Sequence, residues 1–185
     1  GEPRLMASIH DISEAKRTEK VQAALYQISE AAQSVADLGE LYERIHTIIG
    51  GLMMARNFYI ALYDEETGLL SFPYCIDELD PTPPPNKPGR GMTEYVLRSG
   101  KPLLACPEVY HRLLEEGEIE VIGSPSVDWL GVPLKDGEKT FGMMAVQSYT
   151  QDVRYTIQDQ EMLMFISAQV ANAIRRKRAD EQIRQ

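Results

Sequence analysis

The chain has 185 residues, 43% hydrophobic and 25% charged, which suits one soluble domain with helical extensions and a sizeable core. Asp and Glu number 28 against 19 Lys and Arg, a net charge of −9, so the basic stripe that nucleic-acid binding requires is missing. No run reaches the roughly 18 apolar residues of a membrane span, nothing resembles a cleavable signal, and Cys75 and Cys106 are too few for a disulfide framework. The chain therefore reads as cytosolic, with two buried thiols. A domain excised from a larger membrane-anchored receptor has the same composition, and a start at Gly1 with a finish in mid-helix at Gln185 fits such a piece.

In chain order, Val21, Leu25, Ile28, Ala32 and Val35 come first, spaced four, three, four, three. That is a heptad a/d seam, with Glu19, Lys20, Gln22, Gln27 and Glu30 flanking it as a solvated face. The seam serves either a second copy of the chain or packing on the chain's own domain. Asp37 and Glu40 then form a capping box, opening a helix whose Leu38, Leu41, Tyr42, Ile45, Ile48, Ile49 and Leu52 share one face. His46 lies apart from any Cys or second His and reads as structural or exposed rather than as a metal ligand.

Phe58 to Tyr63 predicts a strand, Asp64 to Gly68 a turn, and Leu69 to Ile76 the partner strand. Pro73 cannot donate to a ladder, so the partner lies at an edge or carries a bulge. Asp77 to Pro88 is acidic and then proline-rich, a solvated loop; Asp77, Glu78 and Asp80 lack the spacing and glycine of a calcium loop. Gly91 to Gly100 reads as a short helix, Pro102 to Ala105 as a short strand, and Glu108 to Glu116 as another short helix. Gly89-Arg90-Gly91 falls short of a phosphate loop, but a helix N-terminus bordered by Arg90 is an anion-facing position.

Ser126 to Leu134, a turn at Lys135 to Glu138 and Phe141 to Gln147 predict a β-hairpin, because Asp136-Gly137 tolerates the positive φ of tight turns. Alternation puts Phe141, Met143, Ala145 and Gln147 on one face and Gly142, Met144 and Val146 on the other. Both faces are largely apolar, so both are covered: one by the long helices, the other by the segments between Asp77 and Gly123, where a pocket belongs. A second capping box, Thr156 to Asp159, opens a last helix with Leu163, Ile166, Val170 and Ala173 on one face. From Arg175 the stripe fades into a basic run without a stop signal, read as a connector.

Strand, Asp-Gly turn, strand and terminal helix together resemble the C-terminal half of a GAF domain. The resemblance covers Ala24 to Arg178; its strongest pieces are Val127 to Leu134, Gly142 to Gln147, and Gln160 to Leu163 leading into Ala168 to Ile174. It implies an α+β, GAF-like and PAS-related fold, an antiparallel sheet with long N- and C-terminal helices on one face and a loop-built pocket on the other. On that reading residues 1–20 are an N-terminal extension, 21–178 the GAF domain, and 179–185 the start of a connector. Tyr74, Cys75, Tyr95, Trp129, Gln147 and Tyr149 are the expected ligand-binding residues, with Arg90 at the mouth.

Family subtypes fit less well. Gln147-Ser148 and Tyr155 replace the Asn-Lys and Phe of cyclic-nucleotide binders; Cys106 is followed by Pro107, unlike the bilin-attachment cysteine; Cys75 and Cys106 make only a partial set for methionine-sulfoxide reduction. The final Arg-Lys-Arg-Ala-Asp-Glu-Gln-Ile-Arg resembles connectors that precede PAS, histidine kinase or GGDEF domains. The expected function is thus a regulatory small-molecule sensor of a bacterial signalling protein, a parallel homodimer through its terminal helices, relaying ligand state to an output domain. The ligand is unidentified, no cofactor is implied, and neither nucleic acid nor direct membrane insertion is expected. A ligand-free relay spacer and a thiol reductase are the alternatives to that non-enzymatic sensor.

Overall fold

The structure, a computed structural model, describes the backbone of residues 2–184 and the side chains of residues 12–184. Gly1 and Gln185, the outer limits of the expected extension and connector, lie outside the described residues. Helices α1 (Glu2–Ser34) and α2 (Leu38–Gly50) precede strands β1 (Asn57–Asp64) and β2 (Leu69–Ile76). Then follow α3 (Met92–Ser99), β3 (Leu103–Ala105), α4 (Pro107–Glu115), β4 (Asp128–Asp136), β5 (Lys139–Ser148) and α5 (Ile157–Arg184). The strands form one antiparallel sheet in the order β2-β1-β5-β4-β3, so the β4–β5 hairpin sits at its centre.

Two apolar layers cover the sheet, as the two-faced hairpin requires. On one face Phe58, Ile60, Val132, Met144 and Val146 pack against Ile45 and Ile49 of α2 and Leu163, Ile166 and Val170 of α5. On the other, Tyr59, Ala61, Trp129, Met143 and Ala145 lie beneath α3, α4 and the loops, with Val96, Leu113 and Ile119. Each fully buried aliphatic side chain contributes about 1.5–3 kcal/mol, so both layers are needed to hold the sheet.

Two bulges revise the expected faces. Leu134 pairs with Gly142 and Lys135 with Thr140, which leaves Phe141 as the extra residue of β5. Its ring consequently packs on the helical side, not beside Met143 as strict alternation predicts. In β2 the register slips between Tyr74 and Ser71, so Pro73 sits both at the sheet edge and at a bulge, where its missing N–H costs least.

The expected seam of α1 is turned inward. Ile28, Ala32 and Val35 are buried in the chain's own helical layer, with Val21 and Leu25 partly covered. A 3.5-residue stripe suits a neighbouring helix of the same chain as well as one from a second copy. The capping box of α2 forms, with Asp37 Oδ1 accepting from the Glu40 amide at 3.0 Å; Glu40 reaches back one residue further than expected, to the Ala36 amide at 2.8 Å.

His46 is structural: Nδ1 lies 2.9 Å from the Tyr74 hydroxyl, Nε2 2.6 Å from the Ala55 carbonyl, and the ring stacks on Phe58.

The basic run of α5, read as a connector, packs in part on the chain's own domain. Lys177 is buried and donates from Nζ to the Val35 carbonyl at 2.5 Å, at the negative end of α1. One turn on, Glu181 accepts from the Leu38 amide at 2.8 Å, at the positive end of α2. Arg175 pairs with Asp136 at 2.8 Å. So α5 clasps the elbow between α1 and α2 from both sides. Among the described residues no helix is long and apolar enough to cross a membrane.

Candidate functional site

Strand pairing decides which expected site residues meet. Cys75 pairs with Tyr59, Tyr59 with Ala145 and Trp129 with Gln147, and paired residues point to the same face. Cys75, Trp129, Gln147 and Tyr149 thereby share the loop-covered face, and half-buried Tyr95 of α3 packs against the same layer. Tyr74 does not join them. As the neighbour of Cys75 on a strand it points the other way, onto His46, Phe58 and Tyr42 in the helical layer. Arg90 is exposed at the rim and donates to the Gly117 carbonyl.

At the floor, Trp129 Nε1 donates to the Tyr59 hydroxyl at 3.1 Å, and that hydroxyl meets Thr93 Oγ1 at 2.8 Å. The indole lies over Gly131: a Cβ there would fall among the ring atoms and 2.9 Å from Met143 Cε. Only glycine lets the ring lie flat on its own strand. At the rim, Asp77 accepts from Gln147 Nε2 at 2.6 Å and from the Tyr149 hydroxyl at 2.9 Å, while the same carboxylate caps the Leu79 and Asp80 amides. Asp80 in turn accepts from the Ser124 amide at 2.8 Å and hydroxyl at 2.7 Å, tying the two covering loops together.

Asp77 and Asp80 are therefore anchors rather than solvated loop charges. Tyr59 and Thr93 also escape sequence reasoning, although Tyr59 was reachable through its β1 alternation opposite Cys75. The anion-facing position ahead of α3 is already occupied: the buried Glu94 carboxylate accepts from the Gly89 and Gly91 amides, both at 3.0 Å. A capping carboxylate thus takes the two amides an anion would use.

Three cavities of about 260, 390 and 700 Å³ border α1, its junction with α2, and the groove between α1 and α5. Among the described residues no cluster of His, Cys, Asp and Glu has the makings of a metal site.

Burial shifts several phenols upward. Tyr42 is pushed from 10.0 to about 12, and burial also raises Tyr59, Tyr149 and Tyr155, with Asp77 adding to the rise at Tyr149. Each phenol holds its proton more tightly folded than unfolded. Its contribution to stability is full below pH 10, and for Tyr42 it is lost as pH rises toward about 12. Urea melts at rising pH should show stability falling from about pH 10 upward. Absorbance titration in which all 9 tyrosines ionise together near pH 10 would contradict the buried phenols.

A central five-stranded antiparallel sheet, helices α1, α2 and α5 on one face and a loop-covered polar-rimmed face opposite define an α+β domain. A family model described as GAF domain matches residues 35–175. The chain belongs to the GAF domain family. Similar solved structures include the GAF domain of an Acinetobacter phosphoenolpyruvate-protein phosphotransferase, with a TM-score of 0.64, 17% identity, and coverage of 85% of this chain and 94% of that one. Free methionine-R-sulfoxide reductase from Neisseria meningitidis, in complex with its substrate, gives 0.67 at 14% identity, covering 86% of this chain and 91% of the other. The GAF domain of a phosphoenolpyruvate-protein phosphotransferase from Coxiella burnetii gives 0.64 at 15% identity, covering 89% of this chain and 98% of the other. No match arises among curated proteins. At these identities the likeness establishes the fold alone.

Proposed function

We propose that this GAF domain is the regulatory sensor module of a bacterial signalling protein, binding a small molecule at its loop-covered face and passing the bound state along α5. One observation carries this reading: adjacent residues of β4 touch both ends of the route. Trp129 forms the floor of the face, while Asp128, 1% exposed, accepts from Arg154 Nε at 2.9 Å and from the Tyr155 amide at 2.8 Å, immediately before α5 begins. A ligand that moves the indole moves β4, and with it the segment that launches α5. A few kcal/mol of differential affinity between two positions is enough to shift their populations. The module works as a homodimer through its terminal helices, upstream of a PAS, histidine kinase or GGDEF output domain.

The ligand-free relay spacer is favoured by a separate observation, the indole lying over Gly131 where a ligand would sit. Catalysis fits less well. A reducing thiol needs a lowered pKa, whereas burial raises that of Cys75 and the nearby Asp77 and Asp80 raise it further. Native mass spectrometry of freshly purified protein separates the first two readings. The sensor reading expects an added small-molecule mass, or a metabolite in a broad panel that raises the melting temperature. Bare mass together with a silent panel would replace it with the spacer.

A further inference from the structure

One of the two covering loops crosses open water between fixed ends. Residues 81–90 are all exposed, and Pro81, Pro83, Pro84, Pro85 and Pro88 fall among them. Pro81 to Pro84 forms no turn and pairs with no strand, and the next bend comes at Pro85. A proline ring fixes φ at about −65°, and a residue that precedes proline is kept out of the helical region. Pro83 and Pro84 meet both conditions and Thr82 the second, so the segment is a polyproline II arm. Among the described residues the carbonyls of Pro81, Thr82 and Pro83 accept no hydrogen bond; that of Pro84 takes Asn86 Nδ2 at 2.9 Å.

Both ends of the arm are held. Before it, the Asp80 carboxylate accepts from the Ser124 amide and hydroxyl. After it, Asn86 exchanges two backbone bonds with Leu70 of the edge strand, at 3.0 and 2.8 Å, and the Gly89 amide donates to buried Glu94. A segment pinned this way has already lost much of the freedom that binding would cost it. Exposed apolar side chains flank it. Leu79 just before the arm is 59% exposed. Ile122, 60% exposed, stands beyond it, with Cδ1 3.3 and 3.1 Å from where a Cβ would sit on Gly89 and Gly91. Single exposed apolar residues are ordinary; a grouping around one segment marks an interaction surface. The only charges within residues 81–90 are Lys87 and Arg90, both positive, in a chain of net charge −9.

We propose that Pro81 to Pro84 is a docking arm for a partner protein that reads polyproline II helices, through a groove lined by aromatic rings and edged by acidic side chains. Pro81 and Pro84 have the Pro-x-x-Pro spacing, one turn of a three-residue helix, which sets both rings on the same edge for aromatic faces to pack on. Proline brings no N–H to leave unpaired, and the free carbonyls accept from side chains of the groove. Lys87 and Arg90 then meet the acidic edge and fix the direction of docking. The surface lies on the exposed side of the loops, so it is separate from the small-molecule face and does not depend on whether that face is occupied.

The test uses the whole 185-residue chain, isotope-labelled for NMR, with an isolated SH3 domain and an isolated WW domain as probes, two grooves that read such helices. At least one probe should shift the Leu79, Thr82 and Asn86 amides and leave Met144 in the sheet centre in place. Replacing both rings, Pro81→Ala with Pro84→Ala, should weaken that binding by about tenfold or more. The double variant should stay folded, because both side chains are exposed. Lys87→Glu should weaken binding several-fold at low salt and little at high salt. No shift with either probe at about millimolar concentration would overturn the docking arm, whatever the variants do, and leave the prolines as a stiffener of the loop cover. A folded double variant that binds like the parent would overturn it too, and binding indifferent to Lys87→Glu would overturn the acidic edge.

Discussion

Replacing Trp129 by Ala should cost about 3–5 kcal/mol, the range for removing a large aromatic from a close-packed site. The ring is 2% exposed, rests on Gly131 and Met143, and donates its one N–H to the Tyr59 hydroxyl. Tyr59 keeps Thr93 as a partner, so the loss comes from packing and the cavity left behind, not from an orphaned phenol. Against the roughly 5–15 kcal/mol that holds a typical domain together, this is a large fraction. Trp129 is the chain's one tryptophan, so urea melts should be followed by far-UV circular dichroism in place of fluorescence. A shift worth less than about 1 kcal/mol would mean that the indole does not fill the loop-covered face. If the variant folds, its vacated face also bears on function: small aromatic compounds should raise its melting temperature and leave the parent chain unchanged.

Asp128→Ala should cost about 2–4 kcal/mol, most of it from the buried Tyr155 amide left without an acceptor. The Arg154 ion pair adds less, because its guanidinium side is 47% exposed and water replaces the lost carboxylate. The effect should be local before it is global. Amide hydrogen exchange should speed up at Tyr155 and in the first turn of α5, while Ile60 and Met144 in the sheet centre remain protected. Uniform acceleration across the sheet would show that Asp128 supports the whole fold and would remove it from a route between Trp129 and α5. Unchanged exchange at Tyr155 would show that its amide does not depend on the carboxylate.

Most elements were legible because their signals are local. Leu69–Ile76 is the partner strand expected after the turn at Gly68, Gly100 ends α3 in the left-handed conformation at φ 60°, and the box at Thr156 and Asp159 closes with the Asp159 amide 3.2 Å from Thr156 Oγ1. The site was legible only in part. Trp129, Gln147 and Tyr149 share a face by period-two alternation, but the pair Tyr74 and Cys75 could not both face it, since neighbours on a strand point apart.

By itself, then, the sequence determined the helices, the strands, the Asp-Gly hairpin and the two-sided sheet, all of which follow from propensity and periodicity within a dozen residues. Tertiary structure alone decided what lies far apart in the chain. The extra residue at Phe141 depends on pairing with β4, and the buried Lys177 on meeting the end of α1. Asp77 became an anchor because Gln147 and Tyr149 arrive from β5 and the segment after it. A buried charge or a bulge is tolerated only where a distant partner compensates it, and no local pattern records which partner that is.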